Sequence, residues 1–211
     1  MSPAAAGRPR DPAIDAAVLS ATLAVLRERG YPGFTLEAVA ARAGTTRPTV
    51  RRRWPNRRSL VVEALASVPA VPPVPDTGCT RCDLARSVRQ LAESLHHRLP
   101  PGVLAPLLAD CARDAELHRR LVESVVAPGR RAAEAVVRRA VDRGDLRPDT
   151  DPRTLVDLLA STVYRRALLG GGPEESRSAQ ALVDLVLRGA AVDYERLVRI
   201  GETPPGLRHL H

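Results

Sequence analysis

Between Leu36 and Leu60 the chain reads LEAVAARAGTTRPTVRRRWPNRRSL, and the apolar spacing in this stretch leaves little choice of fold. Thr35 supplies an N-cap, Leu36, Val39, Ala40 and Ala43 fall on one helical stripe, and Gly44 stops the segment. A second segment opens after Thr46, another N-cap residue, with Val50 and Trp54 one turn apart, so that both can pin it to the body of a small domain. The pattern predicts a helix-turn-helix. At roughly 100° per residue, the side away from Val50 and Trp54 presents Pro48 and Arg52, flanked by Thr49 and Arg51, with Arg47 and Arg53 nearer the edges.

Three consecutive arginines on so short a helix repel one another, and the free protein gains nothing from them. A polyanion supplies the missing partner. The planar guanidinium fork matches both phosphate oxygens and the O6/N7 edge of guanine, and a helix seated in a major groove can offer both contacts. A solvated basic face is the plain alternative, but the run follows a capped turn and an apolar helix, and this favours DNA.

Residues Ile14 to Leu65, in the order apolar helix, GY, TLEAVAARAG, T, RPTV, RRW, PNRRSL, resemble the DNA-binding domain of the tetracycline-repressor (TetR) family of bacterial transcriptional regulators. That family usually carries serine at Thr46, tyrosine at Arg51, phenylalanine or tryptophan at Trp54 and lysine at Arg57. Carried over by position, the resemblance implies that Thr46 and Arg57 hold phosphates and that Thr49 and Arg52 face bases. Arg51 departs from the usual tyrosine. The expected DNA-facing set is Thr35, Thr46, Arg47, Pro48, Thr49, Arg51, Arg52, Arg53 and Arg57, with Pro48 at home in a first helical turn.

The charge is placed to match. The chain has 211 residues and a formal charge of +8; its 32 basic residues are all arginine. Residues 1–66 hold 11 Arg against 5 Asp and Glu, a net of +6, whereas residues 67–211 hold 21 against 19, a net of +2. Basicity of this kind points to an anionic partner and says nothing of fold. The sequence contains no apolar run of membrane-spanning length and no apolar signal core at its start, so the expected location is the cytoplasm with no membrane partner.

Cys79, Cys82 and Cys111 are too few and too scattered for a disulfide framework, and cytoplasmic thiols are normally reduced. Cys79 and Cys82 form a C-x-x-C, but no second pair follows at zinc-finger spacing, so neither metal nor cofactor is expected, with metal or redox sensing by the cysteines as the minor alternative. His96, His97 and His118 read as surface or pocket-rim residues. The motifs of nucleophilic, phosphate-loop and zinc-peptidase enzymes are missing, and no catalytic residue is assigned.

In chain order, residues 1–11 form a basic arm whose GRPR places Arg8 and Arg10 as candidates for a minor groove, although a tail without a role fits equally. Residues 12–68 are the DNA-binding domain, with Asp11 and Pro12 opening its packing helix, Tyr31, Phe34 and Trp54 filling its core, and Asn56 capping a further helix. PAVPPVP, at Pro69 to Pro75, marks a stiff linker over 69–82. Helices are expected at about 83–99, 102–112, 114–126, 128–144, 152–169 and 174–198, within a second domain of 83–200, and residues 201–211 form a tail. The predicted class is all-α: an N-terminal three-helix helix-turn-helix domain followed by a helical ligand-binding and dimerisation domain.

The resemblance assigns the last two long helices to a homodimer, for which Leu158, Val163, Leu182, Leu185, Val186 and Gly189 are the interface candidates; an intramolecular core is the alternative. It also implies an effector pocket. Leu91, Leu95, Leu104, Leu107, Leu108, Leu121, Val125, Val137 and Tyr164 are its lining candidates, suited to a small apolar molecule, and each can equally be ordinary core. The expected function is therefore a ligand-responsive regulator that binds a palindromic duplex operator as a homodimer and is released by an apolar effector. A TetR-like activator is one alternative. A nonspecific architectural DNA binder is another.

Overall fold

The computed structural model of the chain describes residues 11–68, 75–98, 102–169 and 176–188. Among these every regular element is helical and no strand occurs. Arg8 and Arg10 of the arm, residues 69–74 of the linker, Gly189 and the tail lie outside the described residues.

Helix α1 (Pro12–Arg29) begins where Asp11 accepts the Ala13 N–H at 2.9 Å, and it ends at Gly30, whose positive φ of 64° lets its N–H return to Leu26 O. Helix α2 (Leu36–Arg42) is capped by Thr35, α3 (Arg47–Arg53) by Thr46 and α4 (Arg57–Ser67) by Asn56, each cap accepting from the backbone N–H three residues on. Val18, Leu26, Phe34, Val39, Val50 and Leu60 are at most 1% exposed; burying side chains of this size stabilises by roughly 1.5–3 kcal/mol each. Tyr31 and Trp54 complete this core as the aromatic pattern predicts.

Beyond the linker, α5 spans Thr80–Arg98, so residues 80–82 of the expected linker are already helical. Helices α6 (Leu104–Cys111) and α7 (Ala115–Leu121) follow, and α7 passes through a π turn (Val122–Val126) into α8 (Ala127–Asp142). Pro128, expected to open a separate helix, sits within this continuous rod. Proline there has no N–H and its ring crowds the carbonyl four residues back, a conflict the wider turn accommodates as Ala127 N–H bonds Val122 O instead. Helices α9 (Pro152–Leu169) and α10 (Ser176–Arg188) close the chain's described part.

Two apolar cores result. The first joins α1–α4 to Val103, Leu107, Cys111, Leu117 and Leu121, with Leu108 and Val125 packed against it. Leu107, Leu108, Leu121 and Val125, expected around a ligand, are thus spent joining α6, α7 and the π turn to the DNA-binding helices. The second core holds α5, α8, α9 and α10 together and takes in Val137 and Val163, with Leu91, Leu95, Leu182 and Val186 packed on it. Val163, 4% exposed, is therefore packed inside this core and not on its surface.

Candidate nucleic-acid interface

The turn between α2 and α3 is built from local chemistry. Gly44 adopts a φ of 64°, and the Thr45 N–H reaches back to Ala40 O at 3.0 Å, closing α2 so that α3 leaves at an angle. Thr46 Oγ1 accepts the Thr49 N–H at 3.4 Å and lies 3.0 Å from Thr49 Oγ1. Val50 and Trp54, 0% and 3% exposed, fasten the inner face of α3 to the first core. Its outer face then carries Arg47, Pro48, Arg51 and Arg52, all exposed, beside half-buried Thr49.

The arginines divide by partner. Arg47 pairs with Glu37 at 2.8 Å, in the open. Arg53 turns inward: its side chain is only 9% exposed, Nη1 is paired with Asp15, and the same nitrogen donates to Asp11 O at 3.2 Å. It fastens α3 to the start of α1 and so turns away from the outward face of that helix. Arg57, at the first position of α4, stacks over the Tyr31 ring at 5.0 Å and donates to Tyr31 O at 3.5 Å. That placement aims a cation at a helix N-terminus where the dipole disfavours it, a cost that the ring face reduces. Thr35 is exposed at the head of α2.

Behind this face lies a polar joint that the sequence does not reveal. The Tyr31 hydroxyl donates to Asp110 Oδ2 of α6 at 2.6 Å, and Arg58 Nε lies 3.3 Å from the same oxygen. Burial, followed by the hydrogen bond to Asp110, pushes the Tyr31 hydroxyl up to about 12 from its ordinary 10. Arg57 and Tyr31 thereby connect the base of the basic face to α6.

A cavity of about 140 Å³ opens in the second bundle. Its walls come from α5 (Leu84, Val88, Leu91), the end of the π turn with the start of α8 (Val126, Ala133) and α9 (Val156, Leu159, Ala160). Of the expected lining residues the cavity takes Leu91 and Tyr164 only; Leu95 and Val137 belong to the second core around it, and Leu104 stands half-buried on α6. The polar groups are Ser87, Gln90, Arg130, Asp157 and Tyr164. Arg130 Nε is buried, 3.4 Å from Glu134 Oε1 but without hydrogen-bond geometry, and burial raises the Tyr164 hydroxyl's pKa. The i, i+4, i+7 stripe Leu84, Val88, Leu91 was a legible signal for the α5 wall.

On the far side of the same bundle, Leu158 and Leu185 are each 56% exposed, and Leu169 is 78% exposed. Leu182 and Val186 pack half-buried on the second core instead.

The arrangement matches known proteins over both parts of the chain. The family model described as bacterial regulatory proteins, tetR family, matches residues 18–64, and the tetracyclin repressor-like C-terminal domain matches residues 74–186. The HTH-type transcriptional regulator Rv1556 of Mycobacterium tuberculosis is 30% identical over 86% of this chain and 92% of its own length. The DNA-binding transcriptional repressor TetR of Mycobacteroides abscessus is 33% identical over 82% and 90%. Among solved structures, the TetR family transcription regulator SCO0332 superposes with a TM-score of 0.65 at 30% identity, covering 84% of this chain and 98% of that one. FadR from Bacillus subtilis, solved with stearoyl-CoA, shares the fold with a TM-score of 0.57 at 12% identity over 83% and 99%. The chain belongs to the TetR family of transcriptional regulators.

Proposed function

We propose that this regulator is a homodimeric repressor that binds a palindromic operator through one α3 helix per half-site and is released by a small apolar effector. The observation that carries the reading is the outward face of α3, where Arg51 and Arg52 are exposed while Val50 and Trp54 anchor the opposite side. Thr46 and Arg57 are assigned to phosphates, Thr49 and Arg52 to bases, and Thr35, Arg47, Pro48 and Arg51 to the surrounding contact surface, with Arg8 and Arg10 as candidates for the adjacent minor groove. Exposed Leu158 and Leu185 support self-association, because two large aliphatic side chains on adjacent helices gain little from water.

The cavity's aliphatic walls support an apolar effector, and the cavity's volume is on the order of the ~150 Å³ apolar cavity that admits benzene. The place of action is the cytoplasm, where duplex DNA lies. Selection of bound sequences from random duplex DNA tests the central claim: a two-fold related site with half-site centres about one helical turn, roughly 34 Å, apart is expected. Recovery of no preferred sequence replaces this reading with the nonspecific architectural one. Activation in place of repression is distinguished by transcription from a promoter carrying the selected site.

A further inference from the structure

We propose that Cys79 and Cys82 form a reversible thiol–disulfide site that exchanges with low-molecular-weight thiols. The two sulfurs are bonded to each other at the entrance to α5, against the reduced thiols expected from the sequence. Cys79 immediately precedes the helix: its carbonyl accepts the Asp83 N–H at 2.9 Å, and its Sγ accepts the Cys82 N–H at 3.3 Å. The sulfur thus occupies the place of an N-cap oxygen. When the S–S bond opens, that N–H and the positive end of a helix of 19 residues stabilise a thiolate on Cys79. Cys82, by contrast, is exposed and Cys79 half-buried, so an external thiol meets Cys82 first.

The exchange balances without a further reagent. A thiolate RS⁻ attacks Cys82 Sγ; the new RS–S bond forms as the Cys79–Cys82 bond breaks, and its electron pair leaves on Cys79 as the thiolate just described. A second RS⁻ attacks the mixed disulfide at the RS sulfur, giving RSSR and the Cys82 thiolate. Two thiols are oxidised and one protein disulfide is reduced; the reverse sequence, starting from RSSR, closes the bridge.

The surrounding bonds argue against a purely structural staple. A bridge across three residues closes the kind of short loop from which chain entropy gains least, and the turn is already held without it. Thr77 donates to buried Asp83 through its N–H at 3.1 Å and its hydroxyl at 2.7 Å, and Thr80 donates to Asp145 at 2.6 Å. The helix entrance therefore survives reduction. Its position also gives the bond consequence. Arg139 donates to Pro75 O at 3.1 Å and pairs with Asp76, so the segment arriving from the linker is tied to α8, while Leu84, two residues past Cys82, is in the cavity wall.

The full-length protein is equilibrated in mixtures of reduced and oxidised glutathione, alkylated and digested with trypsin. Cleavage after Arg58, Arg81 and Arg86 puts Cys79 on peptide 59–81 and Cys82 on peptide 82–86, so the bridge appears as the two peptides linked. The linked fraction is expected to track the glutathione ratio and to retrace the same curve on returning to reducing buffer. Far-UV circular dichroism of the reduced parent should stay unchanged, and Cys82→Ser should lose the linked species while keeping that spectrum. A pair that stays linked in a large excess of reduced glutathione is a static staple, and overturns the proposal. So does a pair that never links with oxidised glutathione, or one in which peptide 82–86 is linked to its own copy from a second chain.

Discussion

Arg52 and Arg53 are neighbours in sequence with different work. One helical step carries the side chain from the exposed face of α3 to a pocket against Asp15, where Arg53 is 9% exposed. Arg53→Ala should therefore cost stability, about 1–3 kcal/mol for leaving a partly buried carboxylate without its partner, and lower DNA affinity only as far as folding is lost. Chemical unfolding of the variant beside its DNA titration separates the two; an unchanged unfolding midpoint would return Arg53 to the DNA-facing set. Arg52→Ala should leave folding intact, relax preference at one base pair and cost on the order of 1–3 kcal/mol on the preferred sequence. Equal losses on every sequence mean that Arg52 touches phosphate alone. Arg57→Ala should weaken all sequences alike and reduce the salt slope by about one unit, with a further stability loss of about 0.5–1 kcal/mol from the vacated Tyr31 ring.

At the scale of elements, the joint between α6 and the DNA-binding helices rests on Tyr31 and Asp110, 79 residues apart. The folded state prefers the protonated Tyr31 hydroxyl, since its pKa is pushed up to about 12 against 10 for the free side chain. That contribution is complete below pH 10 and is lost as pH rises towards 12. Tyr31→Phe should thus be less stable than the parent at pH 9, and the gap should narrow at pH 11; parallel curves of unfolding free energy against pH would detach the hydroxyl from this role. Such joints explain what was legible in the sequence and what was not. Asp11, Thr35, Thr46 and Asn56 cap their helices as their residue types require, because a cap acts over three residues. Leu107, Leu108 and Leu121 were readable as buried, but a stripe shows that a face is covered and not by which helix. The same gap hid Asp110, and with it most of the cavity wall. Pro128 misled for a different reason: its rule as a helix breaker holds for the α-helical ladder, and a π turn relaxes that ladder.

For the whole molecule, the proposed repressor has to join two events: association of chains and release of DNA. A charged residue at Leu185 should give monomers with weakened operator binding in sedimentation, because that side chain is 56% exposed and adds nothing to the core. The same change at Val186 should unfold the bundle as well, since Val186 packs on the second core. Dimers that persist with a charge at Leu185 would move the interface elsewhere. Release has a physical route of contiguous packing. The cavity wall includes Val126, the last residue of the π turn, and that turn and α7 pack against α4, whose first residue is Arg57. On the proposed reading, a ligand that shifts Val126 pushes on the helix whose other end is assigned to DNA, while Asp110 holds Arg58 and Tyr31 to α6 and limits slack in the joint. Two recognition helices set for one groove spacing tolerate little displacement, and a tenfold loss of affinity requires only about 1.4 kcal/mol of coupling. Coupling is reciprocal, so operator DNA must weaken effector binding by the same factor that the effector weakens DNA. Calorimetric titration of a candidate apolar ligand with and without operator measures both, and equal affinities exclude release by that compound. Asp110→Ala sharpens the result: if the α6 joint transmits the shift, the ligand should still bind while the factor between the two titrations shrinks, whereas an undiminished factor places the route through α7 and the π turn alone.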